Sequence, residues 1–162
     1  MQQLTTDRLA LSPFTLDDVE AAFEYFRDLE VMHFSFNGPH ASRKTTEEFI
    51  QANISRQDRL GFSIWAVAKS VRGDLIGMCG LAEFGHGVSS IELAYRLRRD
   101  RWGRGYATET GQAAVNHTFN KLGLDRLIAA VERENRPSIH VLEKCGFTFV
   151  EDREIAGKDA LV

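Results

Sequence analysis

The sequence is poor in cysteine and has no long apolar run. Its two cysteines, Cys79 and Cys145, are too few for a disulfide framework or a cysteine-based metal site, and we predict two small buried hydrophobic residues. No apolar run approaches the roughly 20 residues of a membrane span. The segment 1–7 lacks the basic region and apolar core of a signal peptide. We therefore expect a cytoplasmic protein without a membrane partner.

The chain also has little net charge and lacks the common nucleotide motifs. A net charge of −3 argues against nucleic acid as the main partner. The P-loop pattern is absent, and the dinucleotide pattern G-x-G-x-x-G would need glycine in place of Thr108. The five histidines show no metal-binding spacing such as H-E-x-x-H, so we predict no metal site.

Repeats, low-complexity tracts and linker-like segments are absent as well. Hydrophobic residues make up 43% of the 162 residues and charged residues 27%, which is typical of one domain with a real core. We predict a single domain that spans residues 1–162.

The stretch 91–109 is the most informative part of the chain. Ile91, Leu93, Tyr95 and Leu97 alternate as in a strand, a glycine turn follows, and a helix is predicted from about residue 104. Arginines crowd this turn: Arg96, Arg98, Arg99, Arg101 and Arg104. Glycines allow close approach to the backbone, a helix start offers free N–H groups, and arginines pair with phosphates. The pattern favours an anion site over its alternative, a solvated basic turn.

Hydrophobic periodicity predicts a mixed α/β chain. Helices with capping boxes should begin at Thr15 and near Thr45, and the first should bury one stripe from Val19 to Leu29. The predicted strands cover residues 8–14, 62–69, 75–84, 91–97, 125–131, 147–151 and 155–162. Turns at 71–74 and 85–87 should join the second, third and fourth strands into an antiparallel meander. A crossover helix over 104–122 should bring the fifth strand parallel to the fourth, and a short helix should follow residue 135.

The segment Glu92–Glu109 resembles the acetyl-CoA-binding motif of the GNAT superfamily of N-acetyltransferases, and the chain from Thr6 onward is similar to the RimJ/RimL branch. In that superfamily the turn reads Q/R-x-x-G-x-G/A; Gly103 and Gly105 match, whereas Asp100 stands at the Q/R place. The resemblance implies a mixed, mainly antiparallel sheet of six or seven strands with helices on both faces. It also implies that the sheet splays between its fourth and fifth strands to admit the pantetheine arm.

The resemblance implies acetyl-CoA as co-substrate and a set of residues that bind it. These are Leu97, Arg98, Arg99, Trp102, Gly103, Arg104, Gly105, Tyr106, Ala107, Thr108, Asn135 and Ser138. Asn135 to Phe147 looks like the family's N-x-x-S…E-K-x-G-F segment, so by analogy Asn135 binds the pantetheine arm and Ser138 donates to the leaving thiolate. The alternative is that both are helix-cap residues. Leu142 occupies the place of the Tyr acid of many GNAT enzymes, which excludes a Tyr acid there.

The catalytic base and the acceptor pocket are less constrained by the sequence. Glu92 is our candidate base, because a similar Glu serves in several GNAT enzymes, and a surface or salt-bridged carboxylate is an equally weighted alternative. Glu83 is a weaker second candidate. We predict Phe34, Phe36 and Trp65 as walls of the acceptor pocket, with aromatic core as the alternative.

The predicted function is transfer of an acetyl group from acetyl-CoA to a primary amine, without a covalent enzyme intermediate. The acceptor is a protein N-terminus or a small molecule, and the sequence does not decide between them because loops set this specificity. A non-catalytic acyl-CoA-binding module is the alternative. We expect a monomer or a homodimer.

Overall fold

The computed structural model describes residues 2–70, 73–84 and 90–162. The strands are β1 (Leu4–Thr5), β2 (Ala10–Pro13), β3 (Ile64–Ala68), β4 (Leu75–Glu83), β5 (Ile91–Leu97), β6 (Val131–Glu132), β7 (Asp152–Ile155) and β8 (Lys158–Leu161). The α-helices are α1 (Val19–Phe26), α2 (Leu29–Met32), α3 (Arg43–Leu60), α4 (Tyr106–Asn120) and α5 (Arg136–Lys144). Short 3-10 turns cover Leu16–Asp18 and Arg99–Arg101.

The strands form two antiparallel ladders. The larger has the order β1-β2-β3-β4-β5 and the smaller the order β6-β8-β7. The predicted meander is confirmed, since β3 pairs with β4 and β4 pairs with β5. Gly77 and Gly80 mark close backbone approach as predicted, because a Cβ on Gly77 would lie 2.2 Å from the Arg96 carbonyl oxygen. The predicted turns at 71–74 and 85–87 fall partly and wholly outside the described residues.

A gap separates the two ladders beside β5. The segment that follows α4 touches β5 through one parallel bridge, Glu92 to Ile128, with backbone hydrogen bonds of 2.8 and 2.9 Å. Beyond the bridge the chain diverges, and β6 pairs with β8 instead of β5. The predicted splay between the fourth and fifth predicted strands is thus present. Within the described residues, it leaves the edge of β5 from the Leu93 carbonyl onward without a strand partner, so a ligand can pair with it.

Helices cover both faces of the larger ladder, as predicted. The face beneath α4 and α5 has a core of Leu9, Leu11, Trp65, Val67, Ile76, Cys79, Leu93, Leu97, Tyr106, Ala114 and Leu142. The face beneath α1, α2 and α3 has a core of Phe14, Ala22, Tyr25, Phe26, Met32, Ile50, Ile64, Ala66 and Met78. Because strand side chains alternate between faces, Glu92, Ala94 and Arg96 share the α1–α3 face, opposite Leu93 and Leu97.

The structure corrects the C-terminal strands. The strand predicted over 147–151 begins only at Asp152, and it forms a hairpin with β8 through Ala156 and Gly157, whose φ angles are 51° and 76°. With this hairpin and the two-residue β1, the described residues hold eight strands in two ladders, where six or seven in one sheet were predicted. The mixed α/β class itself is confirmed. Cys79 and Cys145 are buried and unpaired, as predicted.

Two helix boundaries also differ from the prediction. The first helix ends at Phe26, because the Asp28 side chain accepts from the Glu30 N–H and starts α2; Leu29 is consequently 72% exposed and no part of the buried stripe. The next helix begins at Arg43, where Ser42 rather than Thr45 provides the cap. None of the helices in the described ranges is long and apolar enough to cross a membrane.

Candidate active site

The loop between β5 and α4 presents a row of backbone donors. The Trp102 N–H closes the 3-10 turn on the Arg99 carbonyl at 3.2 Å, and the Glu109 N–H donates to the Gly105 carbonyl at 3.0 Å. Between them, the N–H groups of residues 103–108 find no protein acceptor in the described part of the chain. Free N–H groups at the start of a 15-residue helix attract an anion through both hydrogen bonds and the helix dipole.

Two glycines give this loop its shape. Gly103 and Gly105 have φ angles of 70° and 76°, in the left-handed region that other residues adopt only with strain. A Cβ at Gly103 would meet nothing within 4 Å, and one at Gly105 only the Arg8 Nη2 atom at 3.4 Å. The backbone conformation therefore favours glycine at both positions. The space above the loop is open, and a ligand can occupy it.

The arginines of the predicted cluster divide into three groups. Arg98 and Arg101 both pair with Asp100, at 3.2 and 3.3 Å. Arg99 and Arg104 are exposed, and neither side chain has an ion pair within the described ranges. Arg96 does not belong to the loop, because it points from β5 into the cavity described below. The free loop cations are thus Arg99 and Arg104.

Contacts from the N-terminal segment hold the loop in place, and the sequence did not reveal them. The Arg8 guanidinium donates to Glu109 at 2.6 Å and to the Arg104 carbonyl at 2.9 Å, and it lies 4.7 Å from the centre of the Tyr106 ring. Thr6 Oγ1 donates to the same carboxylate at 2.5 Å. Together they keep the pKa of Glu109 below its usual range, although its partial burial acts in the opposite direction.

A cavity of about 390 Å³ lies beside β5. It is lined by β4, β5, α3, the loop after α2, the segment 129–132 and the start of α5. Its wall includes the predicted residues Phe34, Phe36, Glu92, Asn135 and Ser138. It takes residues from both faces of the larger ladder, since it extends through the gap beside β5.

Trp65 is not part of this wall. It is completely buried in the core beneath α4, where its Nε1 donates to the Gln2 carbonyl at 3.0 Å and its ring packs edge-on against His117. The alternative interpretation, aromatic core, therefore describes Trp65. Its position one residue from Ile64 on β3 turns it to the face opposite the cavity.

Glu92 is the unpaired acid of the cavity. Burial raises the pKa of Glu92 to about 7, against the opposing charges of Arg56 and Arg96. Its carboxyl group has no hydrogen bond or ion pair within the residues that the structure describes, so the salt-bridged alternative is not what is seen. Glu83, the second candidate, is held by Arg59 at 2.6 Å and by Arg56 at 3.6 Å, which keeps its pKa below the usual range. A carboxyl group with a pKa near 7 can both accept and release a proton at neutral pH.

A hydroxyl pair lies on the other side of the gap. The Tyr95 hydroxyl is 2.6 Å from Ser138 Oγ and donates to the Ser138 carbonyl at 3.1 Å. Burial raises the pKa of Tyr95, so the phenol keeps its proton. Asn135 caps α5 by accepting from the Ser138 N–H at 3.3 Å, which supports the capping alternative for Asn135 but leaves the Ser138 hydroxyl available.

Tyr95 was missed because strand alternation marks it only as a core residue. No group of histidine, cysteine and acidic side chains that could hold a metal occurs in the described ranges. The roles of Glu92, Ser138 and the loop residues stay predictions.

Comparisons with known proteins agree with this geometry. Residues 8–148 match the family described as the acetyltransferase (GNAT) domain. The uncharacterized N-acetyltransferase p20 of Bacillus licheniformis is 32% identical over 150 residues, or 91% of this chain and 83% of that protein.

Two solved structures from Vibrio cholerae share the fold. A putative ribosomal-protein-serine acetyltransferase is 25% identical, with a TM-score of 0.79 over 99% of this chain and 94% of that one. Spermidine N-acetyltransferase in complex with CoA and spermine is 22% identical, with a TM-score of 0.80 over 96% of this chain and 94% of that one.

Proposed function

Because the chain belongs to the GNAT family of acetyltransferases, as its sequence predicted, we propose that it transfers an acetyl group directly to a primary amine held in the cavity beside β5. It is an N-acetyltransferase, and acetyl-CoA is its acetyl donor. The resemblance to the RimJ/RimL branch is supported by the ribosomal-protein acetyltransferases among the similar folds. The observation that carries the proposal is one cavity that joins an unpaired Glu92 to the Ser138 hydroxyl through the gap beside β5.

The residues present fit acetyl-CoA. Six free N–H groups at residues 103–108, together with Arg99 and Arg104, would hold the diphosphate. The edge of β5 from the Leu93 carbonyl onward would pair with the pantetheine amides, as an added strand would. Acetyl-CoA supplies the activated acetyl group as a thioester. No metal is required for this chemistry.

Glu92 would remove the proton from the acceptor amine. An alkyl amine is mostly an ammonium ion at neutral pH and has no free electron pair until it loses a proton. The raised pKa of Glu92, about 7, places its proton affinity near the operating pH, where a general base is most effective. We assign Glu92 to take the proton directly or through one water molecule.

Ser138 would stabilise the leaving thiolate. Its hydroxyl can donate toward the gap when the Tyr95 hydroxyl proton turns from the Ser138 carbonyl to Ser138 Oγ, 2.6 Å away. Two hydroxyl groups in series stabilise developing negative charge better than one, because each polarises the next. This arrangement replaces the Tyr acid that Leu142 excludes.

A non-catalytic acyl-CoA-binding module was the alternative that the sequence left open. Such a module would need the loop and the gap, but nothing in it would require a buried, unpaired carboxyl group. Leaving an acid buried without a partner costs stability, and proteins retain such groups mainly at functional sites. Glu92 therefore favours the enzyme.

One experiment separates these two functions. Calorimetry measures CoA affinity, and thiol release from acetyl-CoA measures turnover with a panel of primary amines that includes spermidine, amino acids and peptides. The enzyme predicts CoA binding together with amine-dependent thiol release. CoA binding without turnover on any amine would favour the module, and no CoA binding at low salt would refute both.

A further inference from the structure

The acids of the cavity are mostly neutralised by neighbouring cations. Glu83 is paired with Arg59 and Arg56. Glu132 is paired with Lys158 at 2.5 Å, and the same ammonium group donates to the Ser35 carbonyl at 3.3 Å. Glu92 is left, and its carboxyl group is partly protonated at neutral pH because its pKa is about 7. The cavity thus has little negative charge to offer a cationic ligand.

Arg96, by contrast, brings a positive charge that has no ion-pair partner among the described residues. It lies half-buried in the cavity wall, and within the described residues its guanidinium makes no ion pair or hydrogen bond. A guanidinium has five N–H donors and cannot act as an acceptor. Its burial lowers its pKa, although Tyr25 and Glu92 favour the charged form. A buried cation with unused donors is costly unless a ligand supplies the missing acceptor.

A further donor beside Arg96 also lacks an acceptor. The Tyr25 hydroxyl is buried, with the residue only 2% exposed, and it has no hydrogen-bond partner in the described part of the chain. It lies close enough to Arg96 for that charge to lower the Tyr25 pKa against the effect of burial. Arg96 and Tyr25 therefore share one feature, which is a donor without an acceptor among the described residues.

We propose that the amine acceptor of this enzyme carries a carboxylate close to its amine, and that Arg96 binds this carboxylate. The inference rests on the proposed function and names the class of its acceptor. The order of residues on β5 gives the geometry, since Glu92, Ala94 and Arg96 follow one another on one face at intervals of about 7 Å. An amine above Ala94 has the base on one side and the cation on the other. Amino acids and peptides with an acidic first residue have this charge pattern.

The same geometry disfavours polyamines. Spermine is bound by the similarly folded Vibrio cholerae enzyme. In this chain, an ammonium group placed along β5 would face Arg96, and like charges in a partly desolvated cavity repel strongly. The two acids that could have compensated, Glu83 and Glu132, are already occupied. We therefore expect acceptor preference to differ from that of the polyamine-binding relative.

The test compares acceptors that differ only in the carboxylate. Suitable pairs are glycine with glycinamide, β-alanine with β-alaninamide, and the amidated peptides Asp-Ala-Ala with Asn-Ala-Ala; spermidine is tested alongside. We expect kcat/KM to be at least about 10-fold higher for the carboxylate member of the preferred pair, the scale of one hydrogen-bonded ion pair. The free amino acids and the peptides distinguish a small-molecule acceptor from a protein N-terminus.

Variants assign the preference to Arg96. Arg96→Gln should abolish the carboxylate preference, Arg96→Lys should keep part of it, and the exposed arginine control Arg27→Gln should leave it unchanged. Calorimetry with N-acetyl-β-alanine and its amide in the presence of CoA gives a readout that does not depend on turnover. CoA affinity of each variant, measured alone, verifies that the fold and the loop are intact.

The outcomes separate this inference from the proposed function. Preference for the carboxylates that disappears in Arg96→Gln supports the inference. Equal use of both members of every pair, a preference for spermidine, or an unchanged preference in Arg96→Gln overturns it while amine acetylation stands. If no acceptor is turned over, weaker binding of N-acetyl-β-alanine to Arg96→Gln than to the wild type still supports the site, and equal binding refutes it.

Discussion

The loop after β5 and the cavity beside β5 belong to the same site but are built in different ways. The loop is a local structure, because its donors come from consecutive residues 103–108 and its shape from Gly103 and Gly105. The cavity is assembled from segments that lie far apart in the chain, between Phe34 and Leu142. The loop offers only donors and open space. The cavity, in contrast, raises the pKa of Glu92 and leaves Glu92 and Arg96 without partners among the described residues. Cofactor binding is therefore determined locally, and chemistry and acceptor choice depend on the whole fold.

The largest expected effect is a loss of CoA binding at the loop. Gly105→Val should weaken CoA binding by at least about 100-fold, because a side chain would occupy the space above the loop and a β-branched residue resists the left-handed backbone. Calorimetry measures this loss. Gly61→Val is the matched control, since Gly61 has a φ of 77° with nothing within 4 Å but lies at the end of α3. The two variants should lose similar stability, and wild-type CoA affinity in a folded Gly105→Val protein would contradict the account of the loop.

The next largest effect should appear in the cavity alone. Glu92→Gln keeps the shape of the side chain and removes the base, so we expect kcat to fall by about 100-fold or more with CoA affinity unchanged. Steady-state thiol release measures kcat, and calorimetry measures the affinity. The exposed acid Glu20, paired with Arg43 on the surface, provides the control Glu20→Gln. A kcat close to wild type would show that Glu92 is structural.

The hydroxyl pair should give a smaller and shared effect. Ser138→Ala and Tyr95→Phe are each expected to lower kcat by about 10-fold while CoA affinity changes little. The double variant should lose little more than either single one, because both changes break the same 2.6 Å contact. Losses that multiply in the double variant would mean that the two hydroxyl groups act separately.

The smallest effects should come from the loop arginines. Arg99→Gln and Arg104→Gln should each weaken CoA binding only a few-fold, because exposed ion pairs contribute little in water. CoA titrations between low and high salt should show a shallower salt dependence in each variant than in the wild type. Arg98→Gln should change this salt dependence less than either variant, because Arg98 is already paired with Asp100.

The difference between the two regions also explains what the sequence could reveal. Gly103 and Gly105 were recognised because their spacing alone determines the loop. Glu92 was identified as a candidate, but its unpaired state depends on Arg56 and Arg59 of α3 being engaged by Glu83. These pairs join residues 24 to 27 positions apart, and no local sequence pattern predicts them.

For other residues, too, the local sequence pattern did not predict the position in the fold. Trp65 was predicted in the pocket for its size, but the face of β3 on which it lies follows from strand register, which places it opposite Cys79 and beneath α4. The segment 125–131 has the composition of a strand, yet it pairs with β5 only at Ile128, because the chain then joins the C-terminal hairpin. Tyr95 and Arg96 follow each other in sequence but lie on opposite faces of the ladder, Tyr95 beside α5 and Arg96 beside Tyr25 of α1.

The pH dependence of kcat/KM, compared between wild type and Glu92→Gln, tests the central claim most directly. The acceptor should have an amine pKa well above 9, so that its own titration is separate. Glu92 must lose its proton to act as a base, so the wild-type value should rise with pH through about 7, the raised pKa of this carboxyl group. Glu92→Gln should lack that rise and increase only as the acceptor amine itself loses its proton. A wild-type profile that is flat between pH 6 and about 8, or a variant that keeps the same rise, would contradict the assignment of Glu92 as the base.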